Sequence, residues 1–173
     1  MIIKVPSTAS EFEQLHQLNY STFVEEIPQH KERADRKLID RFHSKNNYLI
    51  AVKGNKVIGM VCYNTIRPFS LEEKQVKIDD HIPLGCKVAE IRLLAVEKKW
   101  RKTTVTFRLL QQLIKELKRN GVSMGLISAT TREFKFYTKI GFQTFGEVIG
   151  KKNAYYQPMY IFIENLKKEF KDD

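Results

Sequence analysis

Apolar and polar positions follow helix-like and then strand-like patterns along the first part of the chain. Thr8 and Glu11 have the spacing of a helix capping box, and apolar residues follow at helical intervals until Pro28, which predicts the end of that helical region. The interval 33–42 is predicted as a second helix. Residues 47–64 have the sequence "NYLIAVKGNKVIGMVCYN", in which two runs of β-forming residues flank a tight-turn signal, so this interval predicts a hairpin.

The second half of the chain predicts a strand–helix–strand–helix unit that further strands follow. The first of its helices has one apolar face and one face of basic and polar residues. The predicted elements are a strand at Lys87–Val96, a helix that ends at Gly121, a strand in "SMGLISAT", a helix in "TREFKFYTKI" that ends at Gly141, strands near 143–148 and 158–163, and a polar tail "ENLKKEFKDD". This order predicts a mixed α/β fold.

The domain organisation follows from length and from the absence of linker-like sequence. The chain has 173 residues, which suits one domain with one core, and no repeat or low-complexity linker divides it. Residues 1–173 are therefore predicted as a single domain. Residues 65–86 have weak periodicity, and a loop of this length in a compact domain is usually functional or disordered.

Composition narrows the cellular context. Apolar residues make up 42% and charged residues 29%, which is typical of soluble globular proteins. The apolar runs are too short for a membrane span or a secretory signal, and Cys62 and Cys86 stand in no paired motif. These features predict a cytoplasmic protein with reduced thiols. The four histidines lack metal-ligand spacing, so the sequence predicts no metal site.

The charge of +10 predicts an anionic partner, which could be a nucleic acid, a phosphorylated cofactor or an acidic protein. Eight basic and two acidic residues lie between Glu97 and Asn120. Part of this excess falls on the turn before the helix, and helix N-termini attract anions through free N–H groups and the helix dipole. The segment lacks interleaved aromatics and any standard nucleic-acid motif, which makes nucleic acid the least favoured partner.

Two stretches, "AEIRLLAVEKKWRKTTVTFRLLQQLI" and "FYTKIGFQTFGE", resemble the acyl-CoA motif and the later helix–turn–strand element of the GNAT superfamily of N-acyltransferases. The resemblance covers residues 47–148. It implies an acyl-CoA N-acyltransferase fold, with a mostly antiparallel central sheet flanked by helices. It also implies transfer of an acetyl or other acyl group from an acyl-CoA co-substrate to the primary amine of an acceptor.

The resemblance also implies which residues hold the donor. In the family, backbone N–H groups of the turn cradle the pyrophosphate of coenzyme A, and backbone groups of the preceding strand meet the pantetheine amides. Thr104 and Thr106 stand where the family has small residues, so their hydroxyls either donate to phosphate or cap the helix. The positions that match are Leu94, Ala95 and Val96 on the strand, and Arg101, Lys102, Thr103, Thr104, Val105 and Thr106 on the turn.

Two residues are candidate catalytic groups. Glu90 matches the family's glutamate base, and within an apolar strand it would be partly desolvated; the alternative is an exposed charge at the strand's start. Tyr137 matches the family's tyrosine near the thioester sulfur, where a phenol can protonate the departing thiolate. The alternative for Tyr137 is packing with Phe134 on an aromatic helix face.

A second resemblance stays open, because autoinducer synthases and N-acyl amino acid synthases share a GNAT-like fold and tend to lack the glycine-rich turn. They take the acyl group from acyl carrier protein, whose acidity would suit this basic chain. Their Glu–Arg pattern is matched only loosely here by Glu90 and Arg92. A non-catalytic acyl-CoA-binding module is a further alternative.

Several other polar residues have two interpretations each. Glu25 and Glu26 lie where an acceptor wall forms or at a solvated helix end. Asp79, Asp80 and His81 either contact an acceptor or form a polar loop, and Trp100 either stacks on adenine or packs on the sheet edge.

Overall fold

The structure is a computed structural model that describes residues 1–151 and 154–166. Its α-helices are α1 (Ala9–Tyr20), α2 (Ser70–Glu73), α3 (Val105–Arg119) and α4 (Phe134–Ile140). Its strands are β1 (Ile2–Lys4), β2 (Asn47–Lys53), β3 (Lys56–Asn64), β4 (Val88–Val96), β5 (Met124–Thr130), β6 (Gln143–Thr144), β7 (Ile149–Lys151) and β8 (Ala154–Phe162). The fold is mixed α/β with an open, mostly antiparallel sheet flanked by helices, as predicted.

Internal contacts divide the chain into two compact units, of which the first comprises Met1–Tyr63 and Leu93–Leu113. The predicted hairpin forms, and β2 pairs antiparallel with β3 and with β1. Its turn places Gly54 at a φ of +61°, which glycine adopts without a Cβ penalty. A core cluster joins apolar side chains of α1 to β2, β3 and Ala95 of β4.

The start of α1 forms as the sequence predicts. Thr8 Oγ1 accepts from the Glu11 N–H at 3.2 Å, and Glu11 Oε2 accepts from the Thr8 N–H at 3.3 Å, which completes the capping box. The helix continues into a π-helical turn (Ser21–Glu26), whose C-cap is Ile27, immediately before Pro28. The proline therefore marks the boundary of the helical region.

The predicted helix at 33–42 is wrong, because this interval folds as turns and extended chain. Asp35 Oδ1 accepts from the Lys37 N–H, and Arg36 adopts a φ of +50° that interrupts any helix. Tertiary bonds complete the change. The Leu38 N–H donates to the His16 carbonyl, and the Leu38 carbonyl accepts from the Asn19 amide.

The second unit comprises Asn64–Arg92 and the residues from Ile114 onward. In it β4 pairs parallel with β5, and β5 pairs antiparallel with β8, which β6 and β7 also join. Of the predicted strand near 143–148, only Gln143–Thr144 forms a strand, and β7 begins directly after the interval. Gly141 ends α4 at a φ of +119°. Part of the polar tail forms a 3₁₀ turn at Ile163–Asn165, and residues 167–173 lie outside the described residues.

Residues 65–86, called here the covering segment, are packed rather than disordered. They contain α2 and a 3₁₀ turn at Ile78–His81. Phe69, Leu71 and Ile78 are at most 1% exposed and form a core cluster with Met124 and Leu126 of β5. These three side chains therefore anchor the segment to the core of the second unit. None of the helices in the described residues is long and apolar enough to span a membrane.

Candidate functional site

The basic turn begins directly where β4 ends. A 3₁₀ turn (Lys98–Trp100) follows the strand, residues 101–104 form further turns, and α3 starts at Val105. The Arg108 N–H donates to the Thr104 carbonyl at 2.9 Å, which closes the first α-helical ring. Of the N–H groups before it, that of Thr103 donates to the Trp100 carbonyl and that of Val105 to the Thr103 hydroxyl, so the candidate donors to an anion are the N–H groups of Lys102, Thr104 and Thr106.

Close packing fixes the start of α3 against the hairpin. Val105 is 2% exposed, and a Cβ added to Gly59 on β3 would lie 3.0 Å from both Val105 Cγ1 and Leu109 Cδ1. A larger residue at this position would require these side chains to shift by a few tenths of an ångström, so glycine favours this close approach. Sequence reasoning missed Gly59, although a glycine inside an apolar strand is a recognised sign of close backbone approach.

The side chain of Arg101 is engaged inside the first unit. Its Nη1 and Nη2 donate to Glu26 Oε2 and Oε1 at 2.8 and 2.6 Å, which is a bidentate pair. Its Nε donates to the Val96 carbonyl at 2.8 Å. Arg101 thereby joins three segments: the π-helical turn, the end of β4 and the turn before α3.

The threonines of the turn differ in what they bond. Thr103 Oγ1 donates to the Trp100 carbonyl at 2.6 Å and accepts from the Val105 N–H at 3.4 Å, so this hydroxyl holds the turn itself. Lys102 and Thr104 are exposed, and Thr106 is partly exposed. The exposed side of the turn is therefore the part that a ligand can reach.

On β4, the expected pantetheine-binding residues follow a break in the strand. Leu93 adopts a φ of +55°, a left-handed conformation that costs roughly 1–2 kcal/mol for a residue with a Cβ. Ala95 and Val96 are buried and Leu94 is partly exposed. Backbone outliers of this kind cluster at functional sites, because the surrounding fold must hold them in place.

A cleft of about 880 Å³ lies beside the turn in the first unit, and its walls include Glu25 and Glu26. Its charged lining consists of four acidic and five basic residues. Glu26 is paired with Arg101, and Glu25 Oε1 lies 2.5 Å from the guanidinium of Arg36. Glu26 is partly buried, whereas Glu25 is exposed at the end of the π-helical turn, and each has a cationic partner.

In the second unit, Glu90 is 1% exposed, so it is not a charge on the solvent side of the strand. Its carboxylate accepts from the Ser70 N–H at 2.9 Å, the Ser70 hydroxyl at 2.5 Å and the Leu71 N–H at 3.1 Å. Arg92 Nε lies 3.7 Å from Glu90 Oε2. A carboxylate has about four lone-pair sites, so these three hydrogen bonds occupy most of them.

The ladder of hydrogen bonds between β4 and β5 ends at Glu90. Among the described pairs, the parallel register runs only from Val88↔Met124 to Glu90↔Leu126, while β5 continues to Thr130. Strand edges beyond a ladder present backbone N–H and C=O groups that a ligand can use. Glu90 therefore stands at the point where β4 and β5 stop bonding to each other.

Tyr137 lies on α4, with its partly exposed ring centroid 5.3 Å from that of Phe136 and 5.5 Å from that of Phe142. The ring thus packs against other aromatic rings, but its partners are Phe136 and Phe142 and not the Phe134 that the sequence suggested. Burial raises the pKa of the Tyr137 phenol above its ordinary value, and the charge of Glu133 raises this pKa further. The phenol therefore keeps its proton at neutral pH.

The remaining candidates are held by structural contacts. Arg67 binds both Glu72 and Asp79, which closes the covering segment on itself, and the His81 ring lies 4.9 Å from that of Phe145. Trp100 lies beneath Lys53 Nζ at 4.3 Å. Within the described ranges, no group of three or more His, Cys, Asp or Glu side chains could hold a metal ion.

Sequence reasoning did not identify the partners of the candidate residues. Glu26 binds Arg101 across 75 residues of sequence, and Ser70 binds Glu90 across 20. Local patterns carry no signal for contacts at such separations, so only the folded chain shows them. The structure places Leu94–Val96 and Arg101–Thr106 in one unit and Glu90 and Tyr137 in the other.

Comparison with known proteins agrees with this fold. A family model described as the acetyltransferase (GNAT) family matches residues 12–142. Comparison with curated proteins by sequence gives no significant match.

Three solved structures illustrate the likeness. A CoA-dependent acyl-homoserine lactone synthase, BjaI, solved with SAM and isopentyl-CoA, aligns with a TM-score of 0.76 at 19% identity, over 92% of this chain and 78% of that one. FeeM, an N-acyl amino acid synthase from uncultured soil microbes, aligns with a TM-score of 0.76 at 13% identity, over 98% and 99%. An aminoglycoside 6'-N-acetyltransferase complexed with coenzyme A aligns with a TM-score of 0.67 at 17% identity, over 94% and 97%. At these identities the likeness shows a shared fold.

Proposed function

The chain belongs to the GNAT family of acetyltransferases and is therefore an acyltransferase, and from that premise we propose that it transfers an acyl group from a coenzyme A thioester to a primary amine. The observation that carries the proposal is the exposed basic turn, which leads from β4 straight into the N-terminus of α3. A helix N-terminus preceded by lysines favours a phosphorylated ligand.

In this proposal the backbone of the turn binds the donor. Backbone N–H groups of Lys102, Thr104 and Thr106 meet the pyrophosphate of coenzyme A, and Lys98, Lys99 and Lys102 supply positive charge around them. Backbone groups of Leu94, Ala95 and Val96, which follow the left-handed break at Leu93, meet the pantetheine amides. The exposed faces of Lys102 and Thr104 leave the approach open, which supports the fit of such a ligand.

The reaction is a direct attack of the amine on the thioester. The amine nitrogen forms a bond to the carbonyl carbon, the carbon–sulfur bond breaks, and the sulfur leaves as a thiolate that takes a proton from the Tyr137 phenol. The amine proton passes to a base, for which we propose Glu90. Because three donors already occupy the Glu90 carboxylate, this role requires one of them, such as the Ser70 hydroxyl, to give way.

An acylated carrier protein is the alternative donor, and the two threonines at the small-residue positions of the turn favour it. A Cβ at Thr104 and at Thr106 narrows the space for phosphates, whereas an acidic protein would need only the surface charge of +10. On this reading the product would be an N-acyl amino acid or a related signal molecule.

The first experiment is native mass spectrometry of the protein as purified, followed by calorimetric titration with coenzyme A at low and at high salt. We expect coenzyme A or an acyl-CoA to bind, with an affinity that falls as salt rises, because its phosphates carry the recognition. If coenzyme A does not bind at low salt and an acyl carrier protein does, the acyl donor is an acylated carrier protein and not acyl-CoA.

A further inference from the structure

The Glu26–Arg101 pair is a bidentate ionic contact that links the basic turn to the π-helical turn. Its two hydrogen bonds are 2.8 and 2.6 Å long, the Glu26 side chain is 14% exposed and that of Arg101 is 30% exposed. Arg101 Nε also donates to the Val96 carbonyl. The guanidinium therefore uses a donor from each of its three nitrogens inside the protein.

This arrangement makes a direct phosphate contact from Arg101 costly. A bidentate contact with a phosphate would require the guanidinium to release the Glu26 carboxylate, and the partly buried carboxylate would lose its partner. The backbone N–H groups of Lys102, Thr104 and Thr106 belong to the same turn and could bind a phosphate while the pair stays intact. The turn is fixed at one end by the bond from Arg101 to Val96, and at the other by the Thr103 hydroxyl, which bonds Trp100 and Val105.

The origin of Glu26 supports a dedicated role. Glu26 ends a π-helical turn, a geometry that is rare, and that is found frequently at functional sites because it re-aims side chains. The preceding residue, Glu25, points to a different partner, Arg36. The π-helical turn thus directs two consecutive carboxylates to two different cations.

We propose that Glu26 is a positioning residue for the donor site: it holds Arg101, and through Arg101 it fixes the turn whose N–H groups bind the donor phosphates. The inference rests on the proposed function for its ligand, and on the contacts above for its geometry. Arg101 then acts as a brace between the end of β4 and the π-helical turn, and the backbone N–H groups bind the phosphate.

The variant Glu26→Gln distinguishes a positioning role of Glu26 from direct phosphate binding by Arg101, because the two predict opposite changes in coenzyme A affinity. If Arg101 bound phosphate directly, releasing it from Glu26 and adding one positive charge would both strengthen coenzyme A binding. If Glu26 positions the turn, the same substitution weakens binding, by roughly tenfold, the size of a coupling within one network. The matched control is Glu25→Gln, which makes the same charge change at the neighbouring residue and should leave affinity unchanged or slightly raised.

Arg101→Lys provides a second variant with the positive charge retained. A lysine cannot form the two-pronged bond to Glu26 together with the bond to Val96, so the positioning role predicts a loss similar to that of Glu26→Gln. The double variant should bind about as weakly as either single one, because both remove the same brace. In turnover assays the KM for the donor should rise while kcat at saturation stays within about twofold.

Amide hydrogen exchange tests the brace without any ligand. In Glu26→Gln the amides of residues 101–107 should exchange faster than in the parent protein, whereas Glu25→Gln should leave their exchange unchanged. Unchanged exchange, or tighter coenzyme A binding in Glu26→Gln, would overturn the proposal. If the parent protein binds no coenzyme A but Glu26→Gln still exchanges faster than the parent, the brace is supported and the coenzyme A donor is rejected, so the two failures are distinguishable.

Discussion

Glu90 and Glu26 are both carboxylates in contact with arginine, yet their surroundings differ. Glu90 is 1% exposed and accepts from two backbone N–H groups and one hydroxyl, while Arg92 lies farther away at 3.7 Å. Glu26 is 14% exposed, and its carboxylate accepts two hydrogen bonds from the Arg101 guanidinium. Backbone donors cannot move away without unfolding α2, whereas a guanidinium can. The Glu90 carboxylate is therefore held mainly by the backbone of α2, and the Glu26 carboxylate is held by the side chain of Arg101.

The largest difference should appear in stability when each glutamate is removed. Glu90→Ala would leave the buried donors of Ser70 and Leu71 without an acceptor, and we expect a loss of about 3–5 kcal/mol in the free energy of unfolding. Glu26→Ala removes a partly exposed pair, and we expect a loss of about 1 kcal/mol. Urea denaturation followed by circular dichroism measures both. Equal losses of stability in the two variants would contradict the difference between the two carboxylates.

Turnover of Glu90→Gln tests whether the Glu90 carboxylate acts in catalysis, because this variant keeps the size of the side chain and removes its charge. If Glu90 is the base, acyl transfer should slow by about 10²–10⁴-fold while donor binding changes little. The control is Ser70→Ala, which removes one donor to the same carboxylate and should leave turnover within a few-fold. Normal turnover in Glu90→Gln would assign Glu90 a purely structural role in holding the covering segment.

Tyr137→Phe tests the second side chain of the same unit. The ring and its contacts remain and only the hydroxyl is lost, so stability should change little. Acyl transfer should fall by a factor on the order of 10–10³, as expected for loss of one positioned acid. A lowered melting temperature with normal turnover would instead identify a structural hydrogen bond of the hydroxyl.

The pH dependence follows from the raised pKa of the Tyr137 phenol. Because the folded-state pKa lies above the ordinary value of 10.0, the phenol stays protonated as pH rises to that value. The contribution of Tyr137 to stability is full below pH 10.0 and is lost as pH rises beyond it. Alkaline unfolding of the parent protein and of Tyr137→Phe, compared by circular dichroism, should show a steeper loss in the parent.

Local patterns predicted the parts of the fold that local forces determine. The capping box at Thr8, the hairpin turn at Gly54 and the helix stop at Gly141 each depend on a few neighbouring residues. The predicted helix at 33–42 is wrong because backbone groups of this interval bond to the Asp35 side chain and to residues of α1 instead of to each other. The site followed the same rule, since the turn was predictable from its motif and the partners of Glu90 and Arg101 were not.

The smallest expected effect concerns the threonines of the turn, and it tests whether the first-unit site works through its backbone. Thr106→Ala removes a partly exposed hydroxyl and places a better helix former in the first turn of α3, so stability should rise by a few tenths of a kcal/mol. Coenzyme A affinity should change by less than about threefold, because the backbone N–H donors remain.

Thr103→Val is the matched comparison, since the Thr103 hydroxyl bonds Trp100 and Val105. Its loss should cost about 1 kcal/mol of stability, as for a helix cap, and should weaken coenzyme A binding by loosening the turn. Calorimetry on both variants decides between backbone and hydroxyl recognition. If Thr106→Ala weakens binding more than Thr103→Val does, the Thr106 hydroxyl contacts the phosphate directly. Recognition by the first-unit turn would then depend on a side chain as well as on the backbone.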